Sequence, residues 1–159
     1  MIIKRGKKTN FKPYISNGKS CVISWGYKDL QENGFGEWCT EQFKEIPDFS
    51  IIKQTIIEWY NQKINKEIIS GFKWKDYHIW LSTENQFNYK AIYDLSIQSN
   101  GKNLPVTLKF ESNGEPCYYT FNTVVELEDF YMSVIQFIQN TLQKGWQMKD
   151  NIEWKNYQK

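Results

Sequence analysis

The sequence predicts an α+β chain, a β-rich N-terminal segment followed by a helix–hairpin–helix–hairpin–helix body. Three observations carry that expectation. Asn-Gly pairs stand between runs of β-branched and aromatic residues, a strong hairpin signal because both residues tolerate positive φ. Apolar residues recur with a 3.6-residue period over 50–70 and again beyond 124. In the stretches 72–81 and 104–121 the period falls to two, as a pleated strand requires.

Residues 1–48 form the expected β-rich segment with a basic arm, and 49–159 the body with a docked C-terminal tail. Tyr14-Ile15 and Cys21 to Trp25 flank Asn17-Gly18, and Trp25-Gly26-Tyr27 and Phe35 to Trp38 flank Asn33-Gly34. This reads as two hairpins or a short meander, broken by Pro47-Asp48. Ile57, Tyr60, Ile64 and Ile68 then mark one helix face, widened by Ile52, Ile56 and Ile69. Ser50 is the expected N-cap, and Gly71 the expected left-handed residue after the last turn.

Phe72 to Leu81 reads as a tight ribbon turning near Lys75-Asp76. Thr83 with Gln86 fits a capping box, with Ser82 as the alternative cap, and Phe87, Ala91 and Leu95 form the apolar stripe of the helix that follows. Asn100-Gly101 ends it. Val106, Leu108 and Phe110, then Cys117, Tyr119 and Phe121, define a third hairpin turning at Asn113-Gly114. Thr123 with Glu126 opens the longest helix along Leu127, Tyr131, Val134, Ile138 and Leu142, with Gly145 as the expected stop. The first and third helices are expected to pack together, with the hairpins covering one side.

Composition excludes more than it assigns. At about 150 residues per domain, 159 residues make one domain or two small ones. Such a chain buries about two thirds of its unfolded surface and needs no metal or disulfide staple. No apolar run reaches the roughly 18 residues of a membrane span, and Met1 to Lys8 lack the apolar stretch of a signal peptide, so synthesis and retention in the cytoplasm are expected. Cys21, Cys39 and Cys117 lack CxxC spacing and read as reduced thiols.

Charge is uneven. Residues 1–20 hold six basic side chains and no acid, so with a formal net charge of +2 the rest of the chain carries −4. A basic arm suits nucleic acid, an acidic neighbour or water. Nucleic acid is the weaker expectation, because Arg5 is the sole arginine and arginine leads in bidentate phosphate and guanine contacts.

Catalytic patterns are absent: no nucleophile elbow, Walker loop, zinc-protease helix or dinucleotide glycine pattern occurs. His78 is the single histidine, a poor metal centre or triad member alone. Glu126, Glu128 and Asp129 cluster where a helix N-terminus favours negative charge, which explains them without catalysis. The aromatic load of 17% is the unusual feature. Adjacent Trp59-Tyr60 and Tyr118-Tyr119 cannot face one way, so some aromatics are expected at interfaces.

The segments Ile68 to Trp74, Ile79 to Ala91 and Tyr93-Asp94-Leu95 resemble a small uncharacterised family carried by phages and prophages of gut Bacteroides-type hosts and encoded near tail and fibre genes. The likeness continues through Leu104 to Phe110, Glu115 to Tyr118 and Gly145-Trp146 with Lys149-Asp150, covering about residues 50–155 and, more loosely, the N-terminal part. It implies a phage structural neighbourhood and no particular activity.

The resulting expectation is a non-enzymatic virion structural protein of a tail or tail appendage, made in the host cytoplasm and present in symmetric copies. It joins other virion proteins through Lys4, Arg5, Lys7, Lys8, Trp146, Trp154 and Tyr157, with no catalytic residue, cofactor or metal. The alternatives are a tail-fibre assembly factor absent from the mature particle, and a glycan- or nucleic-acid-binding module.

Overall fold

The structure, a computed structural model, describes residues 1–32 and 34–158. It is a mixed α+β chain with two antiparallel sheets and three α-helices. It divides into two compact units, one of Met1–Tyr60 with Lys149–Lys159 and one of Asn61–Met148. The expected break at Pro47-Asp48 is the junction before the first helix, whereas the units divide inside that helix and near the end of the last.

The first unit begins with β1 (Ile2–Lys7), β2 (Tyr14–Ser16), β3 (Cys21–Glu32) and β4 (Phe35–Phe43), ordered β1-β4-β3-β2. The expected basic arm is therefore an edge strand, paired from Ile2↔Thr40 to Lys7↔Phe35. At the first turn Gly18 takes φ +86°, while the Asn17 side chain accepts from the Lys19 and Ser20 amides at 3.0 and 2.8 Å. Asn17 thus acts through its side chain and does not itself take positive φ. Of the second expected turn pair, Gly34 has φ +73° and Asn33 lies outside the described residues.

α1 (Phe49–Ser70) starts one residue before Ser50, and the Asp48 carbonyl accepts from Ile51 and Ile52. Ile52, Ile56 and Tyr60 pack on Ile23, Trp25 and Cys39 of the sheet. The close fit shows at Gly26, φ +68°, where a Cβ would stand 3.0 Å from the Trp59 ring. Gly71 is not left-handed: its amide donates to the Glu67 carbonyl, which also leaves a Cβ no room.

The second unit carries β5 (Phe72–Trp74), β6 (Tyr77–Ile79), α2 (Thr83–Gln98), β7 (Val106–Ser112), β8 (Glu115–Phe121) and most of α3 (Val124–Asp150). The two hairpins are not separate layers; they join through His78↔Glu111 into one sheet, β5-β6-β7-β8. Asn113 and Gly114 both have positive φ, at 53° and 82°, as a two-residue hairpin turn demands. One sheet face buries Phe72, Trp74, Ile79, Phe110 and Phe121 against Tyr89 of α2 and Leu127, Phe130 and Val134 of α3. Aromatic rings dominate this core, with Trp74, Phe110 and Phe121 each 5.2–5.4 Å from Phe130.

Three helix expectations are corrected here. Ser82, the alternative cap, holds the N-terminus of α2, its Oγ accepting from Asn85 at 3.3 Å. The stripe Phe87, Ala91 and Leu95 faces solvent, and Tyr89, Ile92, Tyr93 and Ser96 turn inward. The tyrosines win because each finds a ring: Tyr89 meets Phe130 at 5.2 Å and Tyr93 stacks on Tyr131 at 4.7 Å. Finally, α3 runs through Gly145, which is buried against Ile64 of α1; it marks a close helix approach, not a stop.

Candidate functional site

The buried face of the second sheet leaves its other face open. Strand alternation puts Lys73, His78, Glu111, Lys109, Pro116 and Tyr118 on that open side through the pairs Lys73↔His78, His78↔Glu111, Glu111↔Pro116 and Lys109↔Tyr118. A cleft of about 880 Å³ is lined by Lys73, Lys75, Asp76, Tyr77, His78 and Glu111 together with the 112–114 turn. A smaller hollow of about 310 Å³ adjoins it at His78 and Glu111 and brings in Trp80 and Lys109. Trp80 is 55% exposed and Tyr118 72% exposed.

His78 is tied down on both ring nitrogens. Nε2 meets the Ser70 carbonyl, which only accepts, so Nε2 carries a proton. Nδ1 then faces the Glu111 carboxylate at 3.7 Å. A neutral ring turns a lone pair toward that carboxylate, and a protonated ring turns an N–H toward it. The side chain therefore bridges the end of α1 to β7.

Lys75, at φ 52° in the β5–β6 turn, belongs to a second network. Its Nζ donates to the Tyr119 hydroxyl at 2.7 Å and to Glu126 Oε1 at 3.2 Å, and lies 4.2 Å from the Trp74 ring centre. Tyr119 donates in turn to Glu126. The hydrogen bond to Tyr119 holds the Lys75 ammonium above its ordinary value, and the hydrogen bond to Glu126 raises the Tyr119 phenol. The Tyr119 bond, aided by Lys75, lowers the Glu126 carboxyl. Each group is fixed in its ordinary ionisation state. A lysine nucleophile or a carboxylic general acid needs the opposite shift. The other two carboxylates of the cluster also have partners: Asp129 accepts from Trp74 Nε1 at 3.0 Å, and Glu128 from the Tyr93 hydroxyl at 3.3 Å.

The seven expected partner residues lie on or beside β1, on α3 and in the segment after α3. Lys4, Arg5 and Lys7 lie on β1, with Arg5 Nε 3.6 Å from Glu37, and Lys8 sits 5.8 Å above the Tyr27 ring centre. Trp146 stands exposed on α3 in the second unit. Trp154 is half-buried beside Phe49 and Tyr157, with Lys53 5.6 Å from its ring centre. Tyr157 is buried in the first unit, its hydroxyl donating to the Ser24 carbonyl at 2.8 Å. That hydrogen bond and burial spend its surface inside the chain, and burial raises its phenol strongly.

The reading of single residues did not reach Trp80, Lys109 or the Lys75–Tyr119–Glu126 network. The adjacency of Tyr118 and Tyr119 did signal that one ring points outward, and it is Tyr118. Searches against family models, curated proteins and solved structures found no match for this chain.

Proposed function

We propose that this chain is a non-enzymatic joining protein of a phage particle, a component of the tail or its appendages, made in the host cytoplasm and built into the virion. The observation that carries the reading is the outward apolar stripe of α2, where Phe87 is 70% exposed with Ala91 and Leu95 beside it. Water-facing apolar stripes on a helix are characteristic of surfaces that another subunit covers. In the cleft, by contrast, His78 faces Glu111, and Lys75 is held by Tyr119 and Glu126. Mass spectrometry of particles purified from a strain encoding the chain tests the reading. Its peptides are expected at the copy number of a tail ring. Particles that assemble without it reject the reading in favour of an assembly factor that leaves before maturation.

A second reading is favoured by Trp80 and Tyr118 on the open sheet face beside Lys109, His78 and Glu111. Exposed rings flanked by polar donors stack on sugars or bases. Saturable sugar binding that disappears in Trp80→Ala would replace the first reading with this one.

A further inference from the structure

The first sheet ends in an open edge at β1, and that edge carries charge of one sign. β4 is the strand that pairs with β1, leaving the other side of β1 unoccupied among the described residues. The three other sheet edges are guarded. β2 and β5 have three residues each, and β8 contains Pro116. Short length and proline both discourage strand addition. β1 runs for six residues, without proline and in unbroken register with β4. An edge strand directs part of its backbone N–H and C=O groups outward, and those groups are free to pair with a further strand.

The side chains select which strand that is. Ile2 and Ile3 are 66% and 68% exposed, flanked by exposed Lys4, Arg5 and Lys7, with Lys8 next in the chain. Among the described residues, Glu37 is the carboxylate that pairs with this group of cations, through Arg5. A second copy adding antiparallel would lay its own Lys4, Arg5 and Lys7 against these, and like charges opposite one another destabilise a ladder. The same row attracts a strand of opposite sign. We propose that β1 takes an extended segment of a different chain, one in which acidic residues alternate with β-branched ones, added as a further strand of the first sheet. The idea deepens the joining role above and rests on it for its setting. Its test needs no particle, so the two fail separately.

The full chain, isotopically labelled, is titrated with a synthetic peptide of alternating Glu and Val while backbone amide shifts are followed. Saturable binding is expected, with the largest shifts at residues 2–7. Affinity is expected to fall about tenfold in Lys4→Gln with Arg5→Gln and to weaken with added salt. A peptide with alternate amides N-methylated, or one of alternating Lys and Val, is expected not to bind. The amide spectrum of the variant confirms its fold. Equal binding of the methylated peptide, shifts centred away from β1, no saturable binding, or self-association through β1 would each overturn the proposal.

Discussion

Glu126 accepts from a phenol and an ammonium at once, and those partners hold its carboxyl below the usual 4.5. The stabilisation is fully present above the unfolded carboxyl value. It is lost as pH falls through the lower folded value. Glu126→Gln is therefore expected to cost about 1 kcal/mol near neutral pH, and the gap from the parent protein is expected to close on acidification. Urea unfolding of both proteins across that range reads it; a gap that stays constant in acid would refute the linkage. The Thr123–Glu126 spacing was legible as a cap, and the Glu126 amide does donate to Thr123 Oγ1 at 3.2 Å. What Glu126 does with its carboxylate was not legible, because Lys75 comes from the β5–β6 turn and Tyr119 from β8, and one sequence does not tell which elements become neighbours.

Among the elements, α2 and α3 show how periodicity is read and misread. In α3 a single stripe of large apolar residues left one solution, and Leu127, Phe130 and Val134 are buried with Tyr131 and Ile138 against them. In α2 two stripes compete, and the winning one combines Ile92 with two tyrosines and a serine that are apolar only in part. Ser96 is wholly buried because its hydroxyl donates to the Ile92 carbonyl and accepts from Asn103 Nδ2, both at 2.9 Å. Gly145 failed as a stop signal for a related reason, since its role depends on Ile64, far away in sequence. Glycine to alanine ordinarily favours a helix by about 1 kcal/mol. Here the sign reverses. Gly145→Ala is expected to destabilise by about 1–3 kcal/mol through overpacking, and Ile64→Val to recover part of that loss. Thermal unfolding of the single and double variants decides it, and a stabilised Gly145→Ala would refute the close approach.

For the whole molecule, the mixed α+β class was legible, because turn residues and two periodicities mark most elements. The division into units was not. The segment 149–159 belongs with the N-terminal strands, where Tyr157 meets Trp154 and donates to Ser24, and no local pattern specifies that return. Tyr157→Ala is expected to cost about 3 kcal/mol, the range for emptying a large core position. Hydrogen exchange should quicken first in β3 and β4 while β7 and β8 stay protected. Equal quickening in both sheets would mean that the two units unfold as one.

The bond from Tyr157 to Ser24 spans 133 positions of the chain. During vectorial synthesis β1 to β4 leave the ribosome well before Tyr157, so their core lacks its closing ring until that residue has been added. Asn61–Met148 is contiguous and waits for nothing downstream. The unit whose strands emerge first is thus closed after the unit that emerges behind it.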